Sequence, residues 1–258
     1  MTPQADIDKD TLFNYILRVA DDRLILGHRL SEWCGHDPIL EEDIALANMA
    51  LDLIGQTEAL LKLAAQVESK SRSEDDLAFL RGEREFRNCT LVEQPNGDFA
   101  CTMVRQFLFD SFAVEFLDSL SNSSFEELAA IAKKSLKEAK YHWRHSSSWV
   151  VRLGDGTEES KERTQNALDM LWRYTGELFE VDELQQKAEE SALAPKLAEL
   201  RAKWNTRVEA VLAQATLSIP DNEQYMATGS RSGRHSEHLG HLLAEMQILP
   251  RSFPGANW

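Results

Sequence analysis

Cysteine, proline and glycine are scarce in this sequence, and each shortage excludes a class of protein. Cys34, Cys89 and Cys101 are widely and irregularly spaced, so they form neither a disulfide framework nor a zinc motif. Free thiols of this kind are typical of cytosolic proteins. With only 7 prolines and 12 glycines beside abundant Leu, Ala and Glu, the 258-residue chain is predicted to be helical.

Positive charge is also in short supply. Lys and Arg number 28 against 43 Asp and Glu, which gives a net charge of -15. Such a balance disfavours binding to nucleic acid and to anionic membranes, because both require clustered basic side chains. The start MTPQADIDKD lacks the regions of a signal peptide, and no apolar run reaches the roughly 20 residues of a membrane span. We therefore expect a cytoplasmic protein.

Apolar residues recur at helical spacing in eight segments. Four long helices are predicted at about 10–34, 39–67, 99–120 and 124–153, and additional helices at about 157–179, 182–190, 195–215 and 236–249. Tight turns join the long helices in pairs, and a longer connection crosses between the pairs. This pattern predicts an all-α fold, a ferritin-like four-helix bundle with additional C-terminal helices, in a single domain over residues 1–258.

Local signals refine these helices. Asp98 is the expected N-cap of the third long helix, and Ser124 with Glu127 predicts a capping box on the fourth. Gly55 inside the second helix indicates close approach by a neighbouring helix, and Pro250 should end the last one. A short helix is expected over 77–86, an irregular segment over 88–98 and a polar surface loop over 219–233.

Ferritin-like bundles often hold two iron atoms, which need about four carboxylates and two histidines, each histidine three residues after a Glu. Here no histidine lies between His36 and His142, and the residue three before His142 is Ala139. We therefore predict no catalytic residue and no metal ligand in this chain. The positions of a vestigial site are Asp52, Asp110, Glu138 and His142, which we expect to form a buried hydrogen-bonded network.

Other residues support competing interpretations. The chain could instead hold its own metal, on His28, Glu32, Asp110, Glu138 and His142. His235, His238 and His241 recur at intervals of three, but drift around a helix and are expected to cap or to meet a partner. Four tryptophans are expected in the core or at contacts between subunits, namely Trp143, Trp149, Trp172 and Trp204.

Arg81, Arg84 and Arg87 recur every three residues and could receive the phosphates of coenzyme A. The alternative is local pairing with Glu83 and Glu85. The residues of the possible coenzyme A contact are Arg84, Glu85, Phe86, Arg87 and Asn88.

Five segments carry a family likeness. In order, they are LSEWCGHDPILEEDIALANMALDLIGQ, LVEQPNGDFA, KEAKYHWRHS, LWRYTGELF and HSEHLGHLLAEMQ. They resemble the C subunits of phenylacetyl-CoA 1,2-epoxidase, a bacterial multicomponent monooxygenase of phenylacetate breakdown. The likeness covers nearly the whole chain, although the start MTPQADIDKDT is unlike the shorter start of that family.

The resemblance implies a ferritin-like structural subunit without its own cofactor. It would pair with a homologous catalytic A subunit that holds the di-iron centre, beside a small B subunit and a reductase subunit with NADPH, FAD and iron-sulfur chemistry. That complex converts phenylacetyl-CoA to its ring 1,2-epoxide with dioxygen. Three hypotheses therefore stand: a structural subunit of a di-iron monooxygenase, a metal-binding oxidase, and an accessory subunit that contacts acyl-CoA.

Overall fold

The computed structural model describes residues 7–220 and 225–256, which form ten α-helices and three 3-10 helices and contain no strand. The α-helices are α1 Lys9–Ser31, α2 Leu40–Glu68, α3 Glu74–Phe79, α4 Thr90–Glu93, α5 Phe99–Leu120, α6 Glu126–Gly154, α7 Glu158–Trp172, α8 Glu183–Glu190, α9 Leu197–Gln214 and α10 Glu237–Ser252. The 3-10 helices are Glu83–Glu85, Gly176–Phe179 and Ser230–Ser232. The all-α, ferritin-like class predicted from the sequence is confirmed, and the starting residues 1–6 lie outside the described residues.

The chain separates into two compact units. Unit 1 is Met1–Gln94 with Gly229–Trp258, and unit 2 is Pro95–Thr228. The expectation of a single ferritin-like domain over 1–258 stays a prediction.

Unit 1 is built on an antiparallel hairpin of α1 and α2. The side chain of Asp8 accepts hydrogen bonds from two backbone N–H groups of the first turn and so begins α1. A Cβ at Gly27 of α1 would lie 3.2 Å from Ile54 and 3.3 Å from Leu53 on α2, so the two helices approach closely at this glycine. Residues of α3, α4 and α10 pack against this hairpin and complete the unit.

Unit 2 is built on the antiparallel hairpin of α5 and α6, with α7 and α9 packed against α5. Asp98 caps α5, because its Oδ1 accepts from the N–H of Cys101 at 2.9 Å; the predicted cap is confirmed. Almost every side chain of α5 is buried. An aromatic cluster continues this core, and its members are Phe112, Phe116, Trp172, Phe179 and Trp204.

One helix of the prediction is two elements in the structure. The segment 157–179 was expected to be continuous, but α7 ends at Trp172 and a 3-10 helix follows at Gly176–Phe179. The Thr175 hydroxyl donates to the carbonyl oxygen of Trp172 at 2.8 Å. This side-chain hydrogen bond occupies a backbone acceptor at the end of α7. Gly176 also packs closely against Met226: a Cβ atom added at Gly176 would lie 3.1 Å from the Cβ of Met226.

Two local interpretations were wrong. Gly55 has no neighbour within 4 Å of a Cβ position, so the close approach expected there occurs at Gly27 instead. The capping box of Ser124 and Glu127 is absent. The N-cap of α6 is Phe125, whose side chain makes no capping hydrogen bond, and the Ser124 hydroxyl donates to the carbonyl of Ser191 instead.

Three boundaries also differ from expectation. Helix α10 continues past Pro250 to Ser252, so this proline lies inside the last turn and does not end the helix. The irregular segment 88–98 contains the short helix Thr90–Glu93, and the expected helix 77–86 is divided between Glu74–Phe79 and Glu83–Glu85. In the expected surface loop 219–233, residues 221–224 lie outside the described residues, whereas Ser230 and Arg231 are buried.

Among the described residues, α2 alone is long and apolar enough to cross a membrane by length and composition, and 44% of the relevant window is buried. The core helix of a soluble protein passes the same test. The cytoplasmic location stays a prediction.

Candidate functional site

A buried carboxylate on α5 is the centre of the candidate site. Asp110 is 1% exposed and lies one helical turn after Gln106, which is fully buried. The Nε2 of Gln106 donates to Oδ1 of Asp110 at 2.8 Å. Since residues four apart share a helix face, the amide and the carboxylate point to the same side of α5.

Helix α6 supplies the other side of the site. Its Ser146 Oγ donates to Oδ2 of Asp110 at 2.8 Å. His142, one turn earlier on α6, is 1% exposed and interacts electrostatically with the same carboxylate. Each oxygen of Asp110 therefore accepts a hydrogen bond from a neutral side chain.

Burial controls the ionisation of this group. Desolvation raises the pKa of Asp110 from 3.8 to about 6, while the charge of His142 and the bonds from Ser146 and Gln106 act in the opposite direction. The site can therefore hold a proton on a carboxyl group at mildly acidic pH.

The same contacts bear on metal binding. Both oxygens of Asp110 are engaged, and within residues 7–220 and 225–256 no group of three or more His, Cys, Asp or Glu side chains is placed to hold a metal ion. The residues present do not fit a di-iron pair, which requires several converging carboxylates and two histidines.

Of the four vestigial positions, the structure brings Asp110 and His142 together. Glu138 lies half-buried on α6, one turn before His142, and Asp52 lies half-buried on α2. Sequence reasoning missed Gln106 and Ser146, although each lies four residues from a predicted position on the same helix. That spacing was the available signal.

Two carboxylates proposed for an independent metal site, Glu32 and Asp110, already have other partners. Glu32 pairs with Arg29 at 2.7 Å, and Glu115, a further carboxylate of α5, pairs with Arg207. Burial lowers the pKa of His28 to about 4, which keeps this imidazole neutral at pH 7.

The arginine segment is only partly a surface feature. Arg81 is buried and pairs with Asp21, and its guanidinium lies 4.2 Å from the ring centroid of Phe86, which is itself fully buried. Arg87 Nη1 donates to the carbonyls of Arg84 and Phe86, each at 2.8 Å.

Within the possible coenzyme A contact, two residues are exposed: Arg84 and Glu85. Glu85 Oε2 accepts from the N–H of Gly82 at 2.7 Å, and Asn88 is buried and donates to Glu93. The coenzyme A contact stays a prediction, with Arg84 as its exposed basic side chain.

The first member of the C-terminal histidine series is structural. The His235 side chain is fully buried against Glu93, with Nδ1 2.5 Å from Oε1. Glu93 Oε2 also accepts from the N–H and the hydroxyl of Ser236, at 2.9 and 2.6 Å. A carboxylate of unit 1 thus holds the start of α10, a contact that histidine spacing alone did not predict.

A second buried ion pair secures the same C-terminal segment. Arg231 donates to Asp22 through Nη1 at 2.8 Å and through Nη2 at 3.0 Å, and both side chains are at most 7% exposed. Asp22 Oδ1 also accepts from the N–H of Cys89 at 2.7 Å. The last part of the segment that we expected to be a surface loop, residues 229–233, is therefore bound into unit 1.

The tryptophans differ in burial. Trp172 and Trp204 are 5% and 3% exposed, and Trp204 Nε1 donates to the carbonyl of Leu108 at 3.0 Å, so these two belong to the core as expected. Trp143 lies half-buried under the guanidinium of Arg207, and Trp149 packs edge-on against Phe99.

Comparison with known proteins identifies the family. The whole chain, residues 1–258, matches the family described as phenylacetic acid catabolic protein. The chain belongs to the phenylacetic acid catabolic protein family. This member is 48% identical over 244 residues to the C subunit of the 1,2-phenylacetyl-CoA epoxidase of Escherichia coli (strain K12), an alignment that covers 95% of this chain and 98% of the relative. The resemblance inferred from the five sequence segments is confirmed.

Proposed function

We propose that this family member is the non-catalytic structural subunit of a multicomponent di-iron monooxygenase that epoxidises phenylacetyl-CoA in phenylacetate catabolism. In this proposal it stabilises a homologous catalytic A subunit, which holds the di-iron centre, and it carries no cofactor itself. A small B subunit and a reductase subunit with NADPH, FAD and iron-sulfur groups complete the complex. The similarity to the C subunit of an epoxidase over nearly the full length supports this role.

The observation that carries the proposal is the hydrogen bonding of Asp110. A carboxylate that binds iron directs its oxygens at the metal, whereas here an amide and a hydroxyl donate to them. A buried carboxylate needs hydrogen bonds, an opposite charge or a metal ion, and here neutral donors supply the hydrogen bonds without a metal. The centre of unit 2 is therefore suited to holding α5 and α6 together.

The chemical setting also favours a supporting role. The groups around Asp110 are an amide, a hydroxyl and an imidazole, and all are at most 1% exposed. Side chains this buried are packed against protein atoms instead of facing an open cleft. A reaction on phenylacetyl-CoA needs room for a thioester and a ring, so the substrate is expected to react on the partner.

The test is co-expression of this chain with the A subunit of the same bacterium, followed by sizing, iron determination and turnover assays. The chain alone is expected to contain no stoichiometric iron and to show no turnover, while the complex contains iron and is active. Asp110→Asn is the matched variant: if the site is structural, the variant complex keeps its iron content and its turnover.

Two results would contradict the proposal. One is bound iron near one or two atoms per isolated chain after growth in iron-rich medium. The other is a loss of turnover in the Asp110→Asn complex while assembly and iron content stay normal.

A further inference from the structure

One side of α2 is apolar and exposed to solvent. Leu40, Ile44 and Leu51 are 69%, 53% and 65% exposed. Together with Gly55 they follow one another at intervals of four, seven and four residues, which places all four on one side of the helix. We call these four residues the α2 face.

The α2 face is unusual within its own helix. Helix α2 is apolar enough in composition to span a membrane, yet less than half of that apolar window is buried in the chain. Several large apolar side chains exposed on one side of a helix are typical of an interaction site in a soluble protein. Gly55 leaves open space at its Cβ position, so a partner helix can come close to the backbone there.

Uncompensated negative charge lies at the N-terminal end of this face. Both oxygens of Asp37 are shielded from solvent but accept no hydrogen bond from any described residue. Burial, followed by the charges of Asp43 and Glu42, raises the pKa of Asp37 from 3.8 to about 6. A basic side chain from outside the chain would relieve this repulsion.

We propose that the α2 face is the docking surface for a non-identical helical subunit, which presents an apolar stripe and places a Lys or Arg beside Asp37. This rests on the proposed function, in which that partner is the catalytic A subunit. A second copy is a poor occupant because each chain carries a net charge of -15. The lysine of α2 on this side, Lys62, is already paired with Glu58.

The test measures the affinity of the purified A subunit for four full-length variants of this chain. Leu51→Glu places a charge in the face and is expected to weaken binding at least tenfold. Gly55→Leu is expected to weaken binding similarly, although it raises the thermal midpoint of the free chain by removing a helical glycine. Asp37→Asn should reduce the dependence of affinity on salt concentration.

The matched control is Ile248→Glu on α10, a residue 60% exposed and therefore comparable to Leu51. The affinity of the A subunit for Ile248→Glu is expected to stay within twofold of its affinity for the original chain. Circular dichroism establishes that each variant is folded. Because Gly55→Leu is expected to stabilise the free chain, a loss of binding in this variant is a docking defect and not a folding defect.

Each alternative outcome is informative. Unchanged affinity for both Leu51→Glu and Gly55→Leu overturns the docking proposal but leaves the proposed function standing, because the original chain still binds. The docking proposal is also overturned if Ile248→Glu loses as much affinity for the A subunit as Leu51→Glu does. It is overturned as well if Leu51→Glu abolishes only self-association of the chain. If the original chain does not bind the A subunit, the proposed function itself fails.

Discussion

Both ring nitrogens of His235 face acceptors: Nδ1 lies 2.5 Å from Oε1 of Glu93, and Nε2 lies 3.0 Å from the carbonyl oxygen of Phe86. A carbonyl only accepts, and Glu93 already accepts from Asn88 and Ser236 through its two oxygens. A neutral imidazole has one N–H, so both contacts are hydrogen bonds only if the ring is protonated. The geometry therefore favours the protonated, imidazolium form of His235 in the folded chain.

This pair should make stability depend on pH. Burial disfavours the charge of His235, but the hydrogen bond and charge of Glu93, with the Phe86 carbonyl, outweigh it and raise the pKa. Because the folded pKa exceeds the ordinary 6.5, the stabilisation is complete below 6.5 and is lost as pH rises through the folded value. Urea unfolding at pH 6, 7, 8 and 9 should show this decline.

The matched variants are Glu93→Gln and His241→Gln. Glu93→Gln should lower stability and flatten the decline above pH 6.5, whereas His241→Gln, at an exposed position of α10, should reproduce the original curve. An unchanged pH dependence in Glu93→Gln would show that this ion pair does not set it.

Replacing Asp110 with Asn should change stability in the acidic range. The folded pKa of Asp110 is raised to about 6, so its favourable contribution is present below the unfolded value of 3.8 and is lost as pH rises through about 6. The difference corresponds to roughly 3 kcal/mol between the ends of that window.

The Asn variant carries no titrating group there, and the Gln106 amide can turn its oxygen toward the new donor. Asp110→Asn should therefore gain stability relative to the original chain between pH 4 and pH 7, measured by urea unfolding. An identical pH profile for the two chains would refute the assignment.

Asp22→Asn should destabilise the chain strongly, because it leaves Arg231 buried and charged. Breaking a buried pair by removing one partner typically costs about 3–5 kcal/mol. The double variant Asp22→Asn with Arg231→Met removes both charges and should recover part of that loss. Chemical denaturation of both variants measures the difference, and a double variant less stable than Asp22→Asn would argue against an uncompensated charge as the cause.

Arg84→Glu tests the coenzyme A hypothesis more cleanly than a change at Arg87. Arg84 is exposed, whereas the Arg87 guanidinium bonds two backbone carbonyls and its loss would disturb the local structure. If the segment receives phosphates, Arg84→Glu should raise the KM of the assembled complex for phenylacetyl-CoA severalfold. An unchanged KM, with kcat also unchanged, would remove the arginine segment from the substrate site.

The long helices could be predicted because each carries an apolar repeat over more than 20 residues. Helix α5 matches at both ends, since Asp98 is a strong N-cap. The break of α7 at Trp172 was not predictable, because it depends on a hydroxyl bond to a helix-end carbonyl and on contact with Met226, a residue distant in sequence.

The candidate site shows the same division. Asp110 and His142 could be predicted because a buried ionisable residue indicates a site. Gln106 and Ser146 complete the hydrogen bonding of Asp110, but Gln and Ser are common on helices, so the sequence does not single them out. The pair of Asp22 and Arg231 spans 209 positions, and no local pattern encodes such a partnership.

That separation has a consequence for synthesis. Asp22 and Glu93 leave the ribosome long before Arg231 and His235, so unit 1 emerges with buried carboxylates that lack their cations. Chains generally fold as they emerge, N-terminal part first. Unit 1 therefore gains these two ion pairs only once residues 229–258 have been made, and a chain that stops before Arg231 would lack both.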